Sequence, residues 1–510
     1  MLSKYPERKE MDFSRIDTFF ALTMFFIGFL FFNLILFYKL GAGATIFAIV
    51  IFIVSFIYLQ RSGFKQNTQS IFCLILAALS AAQFSLFDNQ LLKTLNFVLL
   101  SVLFAYWVCL TTGSRIDSKL SIYIIGDFVN QILYVPFQNL LCCLFGVQRI
   151  SRVKNLKGIF LALLGIIIFF PLILLVIGLL MSADVAFENF IIKALELFEI
   201  DELVTYLTQL IMGIPVALYL YGLVYGNAKK RNTGYITTDS VDRVLSLFKI
   251  APRITIYSAL TAFNVIYLVF FAVQAVYLFS AFGGNLPGTF TYAGYARRGF
   301  FELCIVAGIN LAILTISHLI LKREPNEEPK VFRIETILVS LFTVLLIVTS
   351  LSKMVMYISA YGLTQLRVYT SWFMILLLLI FVVVCIRQFK KFNSFRVIII
   401  GFVSLFTILT YSNVDGRIAE YNINRYKEGT LTNLDIDMLM ELSDAAIPYM
   451  YDLYLNTDKN DTTMRNKLAV AIKNSSGWKE DESFRTFNLQ SYSADTFRIM
   501  LSSESMQVIE

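Results

Sequence analysis

The sequence predicts an all-α, polytopic membrane protein of about eleven transmembrane helices with a small helical domain at its C-terminal end. Three observations carry this. Apolar residues make up 57% of the 510 and charged residues only 15%, with a mean hydropathy of +0.69; a soluble domain has about 25% charge. Apolar runs such as residues 19–38 are long enough to cross about 30 Å of hydrocarbon as helices. In lipid each backbone polar group needs a partner in its own segment, which selects helices, and the alternating pattern of a membrane barrel is missing.

The first sixteen residues are mostly polar or charged and form an N-terminal segment. The apolar run after them is too long for a signal-peptide core, and no small-residue cleavage pattern follows it. Spans are expected at 18–38, 42–60, 70–87, 94–112, 158–181, 204–226, 254–281, 300–321, 334–359, 368–386 and 396–414. The connections set their direction. With the N-terminus in the cytoplasm, the inner segments carry 26 Lys and Arg, among them Lys229, Lys230, Arg231, Lys390 and Lys391. The short outer loops carry 6: Lys39, Lys93, Lys193, Arg297, Arg298 and Arg367. Basic residues stay on the cytoplasmic side. The expected organisation is therefore a cytoplasmic segment 1–16, a membrane domain 17–414 that crosses the plasma membrane, and an extracytoplasmic tail 415–510.

Two segments need separate treatment. Residues 121–147 are apolar enough to cross, but crossing would put Arg149, Arg152, Lys154 and Lys157 outside. Asp127, Asn130, Gln131 and Gln138 recur on one helical face, so this is expected to be an interfacial or re-entrant helix on the cytoplasmic side. Residues 186–203 form an acidic amphipathic stretch, expected to rest on the outer surface.

The tail carries 10 basic and 16 acidic residues. Leu439, Leu442, Ala446, Tyr449 and Leu453 step at helical spacing, and Pro448 should kink or end that helix because it has no N–H to donate. A second short helix is expected at 461–473. Trp478, Phe484, Phe487, Tyr492 and Phe497 are expected to lean the tail on the membrane domain. The basic residues are dispersed over many loops, as topology requires, which argues against nucleic acid as a partner.

No catalytic motif stands in the sequence. The six cysteines lie in apolar surroundings and form neither a disulfide framework nor a zinc pattern. The single histidine, His318, lies near a helix end and reads as an interfacial residue. No catalytic residue, metal or cofactor is expected. What remains are charges set in the membrane or at its edge. Lys353 lies inside the ninth span, where a charge needs a partner, water or a route to the headgroups. Glu302 opens the eighth span after Arg297 and Arg298, Arg367 opens the tenth, and Asp415 and Arg417 follow the eleventh. With Tyr421 and Asn422 these residues form the candidate outward polar site, a pocket for a ligand, lipid headgroup or envelope protein. The alternative for 415–426 is a cap over helix ends.

The segments YARRGFFEL (295–303), YGLTQLR (361–367), NVDGRIAEYNI (413–423) and DAAIP (444–448) together resemble a family of bacterial polytopic membrane proteins catalogued as a domain of unknown function. The resemblance runs from Tyr295 to the C-terminus. It departs at Val414, where the family has Pro, and at 484–488 (FRTFN), where the family has an element like Trp-Ser-Trp-Asn. It implies the class and brings no established activity. Three functions stay open. The first is a non-enzymatic envelope protein acting as sensor, scaffold or assembly factor. The second is a transporter or lipid-handling protein, drawing on Asn264, Gln274, Asn310, Lys353, Pro171 and Pro215. The third is a membrane enzyme on a lipid-linked substrate, with Glu302 or Asp415 as acid or base.

Overall fold

The first helix shows how local sequence and tertiary packing agree. Ser14 caps it: its hydroxyl accepts from the Asp17 N–H at 3.2 Å, and the Asp17 carboxylate accepts from the Ser14 N–H at 2.8 Å. Helix α1 (Arg15–Phe31) then runs on as a π-turn to Leu36. The computed structural model describes residues 13–117, 120–148, 169, 172–173, 175–197, 201–282, 292–322, 330–474 and 483–507.

After α1 come α2 (Ala42–Arg61), α3 (Thr68–Leu86) and α4 (Gln90–Thr112), then three short helices, α5 (Ile124–Val129), α6 (Val135–Asn139) and α7 (Cys142–Gln148). Next are α8 (Val185–Leu197), α9 (Asp201–Ala228), α10 (Thr238–Phe248), α11 (Arg253–Phe282), α12 (Tyr292–Ile320), α13 (Lys330–Tyr361), α14 (Gln365–Phe389) and α15 (Ser394–Tyr411). The tail consists of α16 (Val414–Lys427), α17 (Ile436–Met440), α18 (Ile447–Asn456), α19 (Thr462–Asn474) and α20 (Leu489–Gln507). Among the described residues there are no strands and ten helices long and apolar enough to cross a membrane. The protein is thus an all-α, multi-pass membrane protein. Ten of the expected spans coincide with these helices to within a few residues. The fifth, 158–181, falls largely outside the described residues.

Three contacts decide which helix ends share a face. Lys229, after α9, pairs with Asp17 in the first turn of α1 at 2.9 Å. Asn393, before α15, donates to the carbonyl of Leu120 after α4. Asn89, between α3 and α4, donates to Asp415 at the start of α16 at 2.9 Å. Following the chain through these points puts the start of α1 at one end of the bundle (the N-terminal face) and α16 with the rest of the tail at the other (the tail face). Gln148 thus stands on the N-terminal face and Asp201 on the tail face.

Among the described residues the membrane-spanning helices build two apolar cores. In the first, α1 and α9 cross antiparallel at Gly28 and Gly213. A Cβ on Gly28 would come within 2.9 Å of the Gly213 carbonyl carbon, so only glycine lets the backbones meet. Phe20, Tyr58, Tyr221 and Tyr225 stack beside this crossing. The second core joins α11, α12, α13 and α14 through Leu260, Phe300, Phe332, Met354, Met374 and Phe381.

The 121–147 stretch departs from the single helix expected. It breaks into α5, a π-turn over 130–134, α6 and α7. Most of its polar face points inward: Asp127, Asn130 and Gln131 are buried, as is Asn139, while Gln138 is exposed and Ile125, Leu133 and Phe137 stand more than half exposed. Asn130 makes two hydrogen bonds to the backbone of Ile236 and Asn227 donates to Gln131 at 2.6 Å. Asn130 and Gln131 therefore meet protein rather than water. Of the 186–203 stretch, α8 leaves Phe190 exposed.

The tail also departs from its expected helix over 439–453. It forms α17, a 3-10 turn at 444–446 and α18, with Pro448 in the first turn of α18. A proline in a first turn loses no hydrogen bond, because that N–H has no partner within the helix anyway. Pro448 thus starts a helix rather than ending one. Ile418, Leu439, Ile447, Met450, Leu468 and Ala471 form the tail core, and it reaches Leu92 and Leu409 at the ends of α4 and α15.

Candidate functional site

Polar and charged side chains from five parts of the chain meet on the tail face. Asn89 caps α4 by accepting from the Leu92 N–H at 3.0 Å. That leaves its amide free to donate to Asp415 and to the Tyr369 hydroxyl at 2.8 Å. Asp415 is 2% exposed and also accepts from Gln365 at 2.7 Å and from the Ser443 N–H at 3.2 Å. All its partners are neutral donors.

Beside it lies a second cluster. Asp88 accepts from the Asp444 N–H at 3.2 Å and from Asn488 at 3.2 Å, and its own N–H donates to Gln490 at 2.9 Å. Lys93 is fully buried, with its ammonium 3.8 Å from Asp88. Asp444 accepts from Arg498 at 2.5 Å, and Arg498 also bonds the Ile472 carbonyl at 3.1 Å and Asp495 at 2.6 Å. Two buried carboxylates thus face two buried cations across more than 400 residues of chain. Burial, then the neighbouring Asp444 carboxylate, push the Asp88 carboxyl up, and Lys93 opposes them.

The tail is also held through backbone. The Ala42 and Gly43 N–H groups, orphans at the start of α2, donate to the carbonyls of Phe487 and Arg485 at 2.8 Å each. Arg485 reaches Asn33 at 3.2 Å and lies over the Tyr38 ring at 4.7 Å. The seating is polar where aromatic packing was expected: Phe484, Phe487 and Tyr492 are exposed, and Phe497 packs on Tyr451 inside the tail. Trp478 lies outside the described residues.

Residues of YGLTQLR and NVDGRIAEYNI meet at the turn between α13 and α14. The Asn422 side chain accepts from the Leu363 N–H at 2.7 Å and donates to its carbonyl at 2.8 Å. Gly362 has φ +77°, and a Cβ there would come within 3.0 Å of the Asn422 carboxamide carbon. Arg367 bonds the Tyr361 carbonyl at 3.0 Å and covers the Tyr357 ring at 4.1 Å. Arg425 bonds the Ser359 carbonyl at 2.7 Å, closing the end of α13, and lies over the Tyr421 ring at 5.6 Å.

The structure therefore gathers Arg367, Asp415, Tyr421 and Asn422 on one face. Glu302 lies near enough to Lys353 to act on its charge, one turn of α13 from Tyr357. Arg417 points outward from α16, away from Asp415. Arg297 and Arg298 lie in the second turn of α12, and their side chains lie outside the described residues. Sequence reasoning missed Asp88, Asn89, Lys93, Gln365, Asn488 and Arg498. The short connection FDNQ, two capping residues between two spans, was a signal for the first two. In the sequence Lys93 reads only as an outer loop charge.

Every carboxylate in these clusters accepts from protein donors, an arrangement suited to holding parts together. Among the described residues no group of three or more His, Cys, Asp or Glu could hold a metal. No curated protein and no solved structure matches the chain. The match to a family model covers residues 71–453, so it starts well before the resemblance read from motifs and ends before the last two tail helices. The chain belongs to that family, described as Domain of unknown function (DUF4153).

Proposed function

We propose that this protein is a non-enzymatic component of the bacterial cell envelope. It sits in the cytoplasmic membrane with its N-terminus inside and presents its tail outside as a rigid platform for an envelope protein or lipid headgroups. The observation that carries this reading is the tail lock, in which Asp88, Lys93, Asp444 and Arg498 are buried together. Buried charges are expensive, and their use here favours a tail held in one defined position. The test is in-cell cross-linking from exposed tail positions such as Val470 and Tyr492, in the natural chain and in Arg498→Met. The reading expects specific envelope partners that are lost when the tail is undocked although the protein still inserts. The same partners at the same yield from the undocked variant would overturn it.

A transporter is the second reading. It is favoured by Asn264, Asn310, Glu302 and Lys353 all lying in the unit built from α11, α12 and α13. Substrate-dependent flux in proteoliposomes would replace the first reading with this one.

A further inference from the structure

Helix α10 differs from the spanning helices in its burial. None of its residues is buried, and Val244, Leu247 and Phe248 are 52%, 71% and 51% exposed. At 3.6 residues per turn those three share one side of the helix. Val241 and Leu245, both half-buried, form the side turned to protein, and Val241 lies against Gly126 of α5. Asp239, Asp242, Arg243 and Ser246 form a third, polar side, with Arg243 at its border with the bare apolar side. A contiguous bare apolar side of this kind, rimmed by polar residues, marks an interaction surface.

The helix is tied down at both ends. Near its start, the Asp242 carboxylate accepts from the Tyr123 hydroxyl at 2.9 Å, and Thr237 caps the helix by accepting from the Ser240 N–H at 3.3 Å. Just past its end, the Ala251 N–H donates to the Ile320 carbonyl at 2.9 Å, and the Ala251 carbonyl accepts from the Lys322 N–H at 3.1 Å. Tyr123 and Ile320 both lie on the N-terminal face. The 11 residues of α10, about 16 Å of rise, therefore run across that face instead of projecting from it. The bare side is continuous with the lipid-facing surface of α11. Ile250 and Ile254 follow it, 75% and 79% exposed, and Ile254 shares a face of that spanning helix with Val265 and Leu268, which are 53% and 63% exposed. Charge agrees with a lipid surface. Residues 229–253 hold six Lys and Arg against two Asp, and Arg243 and Lys249 are both exposed.

We infer that α10 is an in-plane membrane anchor. It lies in the leaflet on the N-terminal face, with Val244, Leu247 and Phe248 among the acyl chains and Arg243 and Lys249 reaching the phosphates of anionic lipids. The anchor lies on the face opposite the tail, and it holds whether the protein scaffolds or transports.

Nitroxide labels on single cysteines test this, in full-length protein with its six native cysteines replaced, in vesicles of equal parts phosphatidylcholine and phosphatidylglycerol. The labelled positions are all exposed, so the labels displace no packing. Labels at Val244→Cys and Leu247→Cys are expected to meet oxygen more often than a water-soluble nickel chelate and to lie about 5–10 Å below the phosphates. Labels at Asp239→Cys and Ser246→Cys should show the reverse. Nickel access at Val244→Cys and Leu247→Cys equal to that at Ser246→Cys overturns the anchor. Exclusion of both oxygen and nickel overturns it too, because protein, a second copy or a partner, would then cover the face. Lipid charge tests the phosphate contacts. The Leu247→Cys label is expected to move toward the phosphates when Arg243→Gln and Lys249→Gln are added, and again in phosphatidylcholine alone. If either change leaves the depth unaltered, those contacts are overturned.

Discussion

Replacing Arg498 with Met keeps most of the side-chain volume and removes the charge. The Arg498 and Asp444 side chains are 2% and 4% exposed, so the variant leaves the Asp444 carboxylate buried without its cation. Breaking a buried pair from one side costs about 3–5 kcal/mol. The bonds to the Ile472 carbonyl and to Asp495 go as well, although Asp495 is 43% exposed on its side chain and its share is small. The double variant Arg498→Met/Asp444→Asn removes both charges. It should cost less than Arg498→Met alone, since no unpaired ion stays behind.

A single melting temperature would mix tail undocking with unfolding of the bundle, so local opening is the better measure. Hydrogen exchange of peptides over 441–456 and 489–501 reports it directly. At about 1.4 kcal/mol per tenfold, the single variant should exchange about 10²- to 10³-fold faster, with the bundle helices unchanged. The double variant should fall between it and the natural chain. If Arg498→Met leaves tail exchange unaltered, or the double variant loses more than the single, the charges do not form the lock.

Other consequences follow from the same kind of reasoning. Burial pushes Asp127 up to about 6. Stability from a raised carboxyl is present below its unfolded value and lost as pH rises through the folded value, so the charged form costs the fold about 2 kcal/mol or more at pH 8. Asp127→Asn should therefore melt higher than the natural chain at pH 8, with the gain shrinking toward pH 5; a gain independent of pH would refute this. Gly28→Ala must part α1 from α9 and should cost about 1–3 kcal/mol. Gly308→Ala, whose Cβ meets nothing within 4 Å, should not lower thermal stability in detergent. Losses in Lys353→Met and Glu302→Gln should exceed that of their double variant, and simple addition would show that the two do not interact. A reporter active only outside the cytoplasm should work when fused after Gly429 and stay silent after Asn227.

Much of the architecture could be read before any coordinates, because hydropathy is a local property and lipid rewards it uniformly along a span. The same locality explains the misses. The 121–147 segment shows a polar face in its sequence, but sequence spacing does not say whether that face meets water or Asn227 of α9 and Ile236 in the loop after it. Pro448 announces a boundary; whether it ends one helix or begins the next depends on where the chain turns before it, which the tail core decides. On the candidate site, YGLTQLR and NVDGRIAEYNI were visible as dense polar runs, and they do meet, because Asn422 and Arg425 reach the turn at Leu363 and the end of α13. The lock stayed hidden for a different reason. Lys93 and Arg498 are ordinary residues in their own neighbourhoods, one at the first turn of a span and one in a helix that is otherwise unremarkable in composition. They become unusual only when Asp88 and Asp444 arrive from distant parts of the chain and water is shut out. A buried charge pair is a property of the fold, and its cost gives the tail a reason to keep one position on the bundle.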